Sequence, residues 1–280
     1  DVGLGDALQP IIANRANIVA RAQAILAGPE PIIGMGDHCS SPFECEFVGY
    51  CSAECDVVEW PIALLPYSGR AVAAKWAGEG IHDLFDVPVG KLDSALHNRI
   101  HQATISGTTY HDRAGALAAT SGWAYPRLYL DFETIAFAVP RWLGTQPYQQ
   151  VPFQFSCHIE QEDGRVAHHD FLSLDGVDPR RACAEALVAC CAEAPGGAII
   201  AYNAGFERGC IRGLASHCPD LAPDLAAIEA RVVDLLPVTR ANYYHRDQRG
   251  SWSIKAVLPT VAAELDYGAL EVKDGVNAQA

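Results

Sequence analysis

Basic residues are scarce in this sequence. Its 280 residues hold 20 Lys and Arg against 34 Asp and Glu, a net charge of −14. That excludes a coat of positive charge gripping nucleic acid everywhere, though not a local basic groove around an acidic metal site. No apolar run reaches the 18 residues or more that a membrane-spanning helix needs, and no secretory leader opens the sequence. A reduced, cytoplasmic, soluble protein with no membrane partner is expected. Its 10 cysteines are then metal or cluster ligands, or small apolar residues of the core, rather than disulfides. The sequence opens at Asp1 without Met, so a fragment or a processed chain is expected. Apolar residues make up 50%, enough for a sizeable core in one large domain or two smaller ones.

One stretch carries chemistry at once: Leu128-Tyr129-Leu130-Asp131-Phe132-Glu133-Thr134. A short apolar run reads as a buried strand. Side chains alternate along a strand, so Asp131 and Glu133 share a face. Two neighbouring carboxylates repel and are costly to desolvate. A hard divalent cation such as Mg²⁺ or Mn²⁺ relieves both problems, because it takes oxygen ligands. The alternative is a strand end whose acids are simply solvated. A second candidate lies in Ala201-Tyr202-Asn203-Ala204-Gly205-Phe206-Glu207, where a strand ends at Asn203 and Glu207 falls on the first turn of a helix. Alone, Glu207 could merely complement the helix dipole. Paired with Asp131 and Glu133, it reads as a third ligand. Asp234 is a late acid in an apolar segment and a fourth metal candidate.

Along the chain, residues 8–28 have helical spacing, closed by Gly28-Pro29. Cys39, Cys45, Cys51 and Cys55 then fall within 17 positions. Thiolates at such density are the usual ligands of Zn²⁺ or an iron–sulfur cluster, although no Cys-x-x-Cys pair is present. Residues 56–126 read as a mostly helical connector. It contains a short helix ended by Pro88 and another from Asp93 to Ser106. His97 and His101, four apart on that helix, read as solvated or capping histidines, since no third ligand is evident. From 127 onward strands and helices alternate. Strands are expected at 128–134, 151–159, 166–172 and 198–201, and helices at 180–191, 204–217 and 253–263. An α/β fold with a mixed sheet and flanking helices follows. Arg141 and Tyr148, on the loop after the first of these strands, are candidates for phosphate contact and base stacking. Asn203 and Lys255 are further substrate-binding candidates, with a solvated Lys as the alternative for the latter. His168 and His169 are expected on an exposed strand.

The Cys45-x-Phe-x-x-x-Cys51 element resembles the cysteine cluster of RecB-like nucleases that hold an iron–sulfur cluster. The Asp131-x-Glu133 strand and the Asn203-x-x-Phe206-Glu207 junction resemble DnaQ-like exonucleases of the ribonuclease H-like fold. Glu207 stands there where Asp is usual. Pro140-Arg-Trp, Pro147-Tyr-Gln-Gln-Val-Pro-Phe-Gln-Phe155 and Lys273-Asp274-Gly275 resemble an uncharacterised bacterial family. That family joins a RecB-like nuclease unit to a DnaQ-like (YprB-like) exonuclease unit. The resemblance covers 30–55 and 127–280, with the tail of the first unit and a connector in 1–126 and the exonuclease domain in 127–280. It implies 3′-to-5′ two-metal hydrolysis of single-stranded DNA or RNA. Asp131, Glu133 and Glu207 would act as catalytic ligands. Such enzymes use a fourth, late Asp that does not appear before Ala280, so a truncated domain is expected. The alternatives are an impaired nucleic-acid-binding module of the same fold and a structural zinc or iron–sulfur protein.

Overall fold

The computed structural model describes residues 4–39, 41, 43, 45–53 and 58–265. The chain divides into two compact units, Asp1–Glu59 and Trp60–Ala280. The sequence reading puts the change at 126/127. The difference has a physical cause, given below: residues 60–103 share a core with the C-terminal end of the chain.

The first unit contains α1 (Leu4–Ala27) and the short α2 (Val48–Ser52). Helix α1 starts earlier than the expected residue 8, so Pro10 falls inside it and removes one i→i−4 hydrogen bond. The cysteine segment lies between and within these elements. The Cys45 N–H donates to Cys39 O (2.8 Å), and the Gly36 N–H donates to Cys39 Sγ (3.4 Å). Cys39, Cys45 and Cys51 are half-buried. Cys55 lies outside the described residues.

The second unit begins with α3 (Gly69–Ala77), α4 (Ala95–Ser106), the two-residue β1 (Tyr110–His111) and α5 (Arg113–Thr120). Strands β2 (Arg127–Ile135), β3 (Val151–Glu160) and β4 (Val166–Leu172) follow. Then come α6 (Arg180–Ala192), β5 (Ile199–Ala201), α7 (Gly205–His217) and α8 (Ala222–Ala230). The unit closes with β6 (Val232–Asp234), α9 (Leu235–Asn242), β7 (Tyr243–Tyr244) and α10 (Ile254–Val261). The main sheet is five-stranded, in the order β4-β3-β2-β5-β6. Strands β2, β3 and β4 pair antiparallel, whereas β5 and β6 run parallel to β2. The expected mixed α/β sheet with flanking helices is therefore present.

Period-2 alternation builds the main core. Leu128, Leu130 and Phe132 of β2, with Phe155, Cys157 and Ile159 of β3, face α6, α7 and α8. Leu187, Ile211, Leu214 and Leu225 meet them from the helices, all fully buried. Six cysteines (157, 183, 190, 191, 210 and 218) are buried in this core. Free Cys packs as a small hydrophobe. Burial pushes the Cys183 thiol up to about 12, so it stays protonated.

A second core explains the domain boundary. Trp60, Ile62, Leu84 and Ile100 of the connector pack with Tyr244, Trp252 and Val257. Strands β1 and β7 pair antiparallel, Tyr110 opposite Tyr244. The Arg99 guanidinium donates to Arg240 O and Ala241 O, both at 2.6 Å. Residues 60–126 are thus part of the α/β unit rather than a free connector. His97 and His101 are corrected here as well. They are not solvated but buried, with Nε2 at 3.0 Å from Pro66 O and 2.9 Å from Leu84 O.

Candidate metal and nucleic-acid site

The acids gather at the carboxyl ends of β2, β5 and β6, the place where open α/β sheets present ligand crevices. Strand β2 pairs with β5 only at Leu128–Ile199 and Tyr129–Ile200. Beyond that, β5 ends at Ala201 and the chain turns into α7. Asp131 and Glu133 therefore sit where β2 has lost its parallel neighbour. They point away from the core that Leu130 and Phe132 enter, as the alternation requires. The register with β3 shifts between Glu133 and Thr134. Bulges of this kind re-aim side chains and are common beside functional sites.

Glu207 comes from the first turn of α7 and is only 3% exposed. Its Oε2 is buried and has no hydrogen-bond partner. Burial, then repulsion by Asp131 and Asp234, pushes its carboxyl up to about 7. Desolvation also raises Asp131. Glu133 is raised by desolvation and by Asp131, and the positive charge of Lys255 partly offsets this. Asp131 thus acts on both Glu133 and Glu207, Asp234 acts on Glu207, and Lys255 acts on Glu133.

Asp234 has a second task. Its Oδ1 accepts from the Leu236 N–H (2.9 Å), capping α9, and from the Asn203 N–H (3.0 Å). That second bond pins a residue with φ of 70°, a backbone state that Asn tolerates better than most. Asn203 itself is exposed at the mouth of the β5–α7 turn.

Arg141 and Tyr148 lie on the loop that leaves the same end of β2. The Arg141 guanidinium stacks over Phe137 (4.3 Å), and Phe137 meets Trp142 edge-on. The Tyr148 N–H closes the loop onto Phe137 O (2.8 Å), leaving its ring 72% exposed. His168 is exposed on β4, stacked on His158, and His169 is half-buried.

The donor set fits a hard divalent cation: four carboxylates, one with a buried and unsatisfied oxygen. As the side chains lie, no three His, Cys, Asp or Glu among the described residues are close enough to hold a metal ion. Asp274, the other late acid, falls outside the described residues.

Sequence reasoning missed two contributors. Tyr67 and Arg240 line a cleft that also touches Asn203. No periodicity marks either of them, because a turn before α3 and the distant helix α9 bring them together.

Fold and site define the class of the second unit as an α/β protein with a mixed five-stranded sheet and an acidic carboxyl-end site. Residues 128–253 match the model of a family described as a domain of unknown function (DUF2779). Apart from Arg127, the matched span takes in the five strands of the main sheet and all four acids. No curated protein and no solved structure matches the chain.

Proposed function

We propose that the second unit is a metal-dependent nuclease domain of ribonuclease H-like type. It hydrolyses phosphodiester bonds of single-stranded DNA or RNA from a 3′ end. One observation carries this reading: Glu207 is buried with an orphaned carboxylate oxygen, and Asp131 repels it from the neighbouring strand. A buried carboxylate with an unpartnered oxygen and a second acid repelling it favours a cation as partner. The sheet order supports the fold assignment, since an antiparallel meander continued by two parallel strands is what the DnaQ-like resemblance implies.

Asp131, Glu133 and Glu207 would hold Mg²⁺ or Mn²⁺, with Asp234 adjoining. A pair of such ions, when bound, activates water and steadies the leaving oxygen. The chain's own residues prepare that edge. Asp234 fixes Asn203 by its amide and so sets the turn that delivers Glu207. Lys255 moderates the charge on Glu133. Without a cation, Glu207 is about half protonated near neutral pH. In the first unit, Cys39, Cys45 and Cys51 offer soft thiolates suited to an iron–sulfur cluster or Zn²⁺.

A second reading is an impaired nucleic-acid-binding module. It is favoured by the lack of a ready three-ligand group among the described residues. End-labelled single strands incubated with Mn²⁺ separate the two readings. The nuclease reading expects a 5′-labelled strand to shorten stepwise and a 3′-labelled strand to release its label first as a mononucleotide. Binding without any shortening supports the module.

A further inference from the structure

The cleft beside the acids is the strongest feature left unused. Its volume is about 470 Å³, and Pro66, Tyr67, Tyr202, Asn203, Arg240 and Ile254 are among its lining residues. Asn203 is common to the cleft and the acid-bearing turn, so the two are contiguous. The walls are firmly built. Tyr202 OH donates to Trp252 O (2.7 Å), and Trp252 Nε1–H donates to Tyr243 O (2.8 Å). Three lining residues, Tyr67, Asn203 and Gly250, hold positive φ values of 63°, 70° and 79°. Residues held in sparsely populated backbone states cluster at ligand clamps.

Its chemistry runs against the charge of the chain. The protein is strongly acidic, yet one wall of this cleft carries an arginine beside an aromatic ring: Arg240 lies 5.7 Å from the Tyr67 ring, and both line the cleft. Asp234, whose Oδ1 accepts from the Asn203 N–H, is the acid bonded to a lining residue. Arg240 Nε is buried without a hydrogen-bond partner. Tyr67 is 77% exposed despite its strained backbone. Guanidinium next to an open aromatic face is how single strands are bound: bases stack and phosphates pair.

We propose that this cleft holds one nucleotide of a single strand, its base on Tyr67 and its phosphate on Arg240, adjoining the acid site. The proposal rests on the nucleic-acid reading of that site but not on its catalysis. Tyr67 comes from the segment before α3, outside the span that matches the family model. The stacking side of the subsite therefore comes from outside that span, whereas Arg240 and Asn203 lie within it.

The test is fluorescence anisotropy of a labelled oligothymidylate with the whole chain, in EDTA so that nothing is cut. Tyr67→Ala should weaken binding roughly tenfold, the scale of one lost base stack, and Tyr67→Phe should restore it. Arg240→Gln should weaken binding and flatten the salt dependence by about 0.7 in log–log slope, one phosphate contact fewer. Arg165→Gln, on the exposed β3–β4 turn and outside the cleft lining, should bind as the wild type does. Thermal unfolding of each variant checks that the fold is kept. Three results would overturn the proposal: no binding by wild type, wild-type binding by folded Tyr67→Ala and Arg240→Gln, or Tyr67→Phe as weak as Tyr67→Ala. A wild type that binds through Tyr67 and Arg240 but never cuts with Mn²⁺ sinks the nuclease reading and leaves this one standing.

Discussion

Glu207 concentrates the tension of the site in one residue. Its carboxyl titrates near 4.5 when unfolded and about 7 when folded. Between those values the folded state binds more protons than the unfolded one. Stability therefore falls as pH rises through that window and is fully present only below 4.5. A shift of that size corresponds to about 3 kcal/mol. Glu207→Gln should remove this loss. In metal-free urea unfolding, the variant should be more stable than wild type at pH 8, and the gap should narrow to about 1 kcal/mol or less at pH 5. A constant gap at both values would contradict the burial argument. The acid pattern itself was readable in the sequence, because Asp131 and Glu133 obey the period of two. The burial of Glu207 was not, since its neighbours on α7 are set by tertiary packing. His97 and His101 show the same limit: helical spacing put them on one face but could not say that the face is covered.

Short elements hold the site together. Asp234 ends β6, caps α9 and clamps Asn203 through one oxygen. Asp234→Ala should cost about 1–2 kcal/mol, as lost helix caps do, whereas Asp234→Asn keeps the cap and should cost much less. Chemical denaturation of the two variants checks this, and an equal loss in both would assign the effect to charge instead. Legibility at this scale follows the reach of the interactions. Strands β2, β3 and β4 could be read closely, since alternation is local and β3 and β4 share a tight turn at Asp163-Gly164. Helices α8 and α9 lacked a clear apolar period, and the α9 cap is an Asp that also reads as a ligand. Strands β1 and β7 are two residues each and lie far apart in sequence. Nothing local announces them.

Across the whole second unit, the second core forms where the connector crosses residues 244–257. Gly250 marks that crossing. Its φ is 79°, and a Cβ there would collide with Leu64 O, a backbone atom that cannot swing aside. Gly250→Ala should therefore destabilise the unit by roughly 2 kcal/mol or more, combining backbone strain with a forced shift. It should also weaken strand binding, because Gly250 lines the cleft. Unchanged thermal unfolding would show that the two parts are not held against each other there. Composition pointed to none of this. A change of pattern at 127 marks where strands begin, but shared burial decides where a folding unit begins.

Cleavage of an end-labelled single strand in Mn²⁺, by wild type and by Asp131→Asn side by side, tests the central claim most directly. Asp131 carries the claim because it is the acid that acts on both Glu207 and Glu133. Stepwise shortening by wild type, reduced about 100-fold or more in Asp131→Asn with strand binding intact, is the expected result, since a bound metal ion contributes several kcal/mol to such a barrier. Equal shortening by both proteins, or none by either, would contradict it.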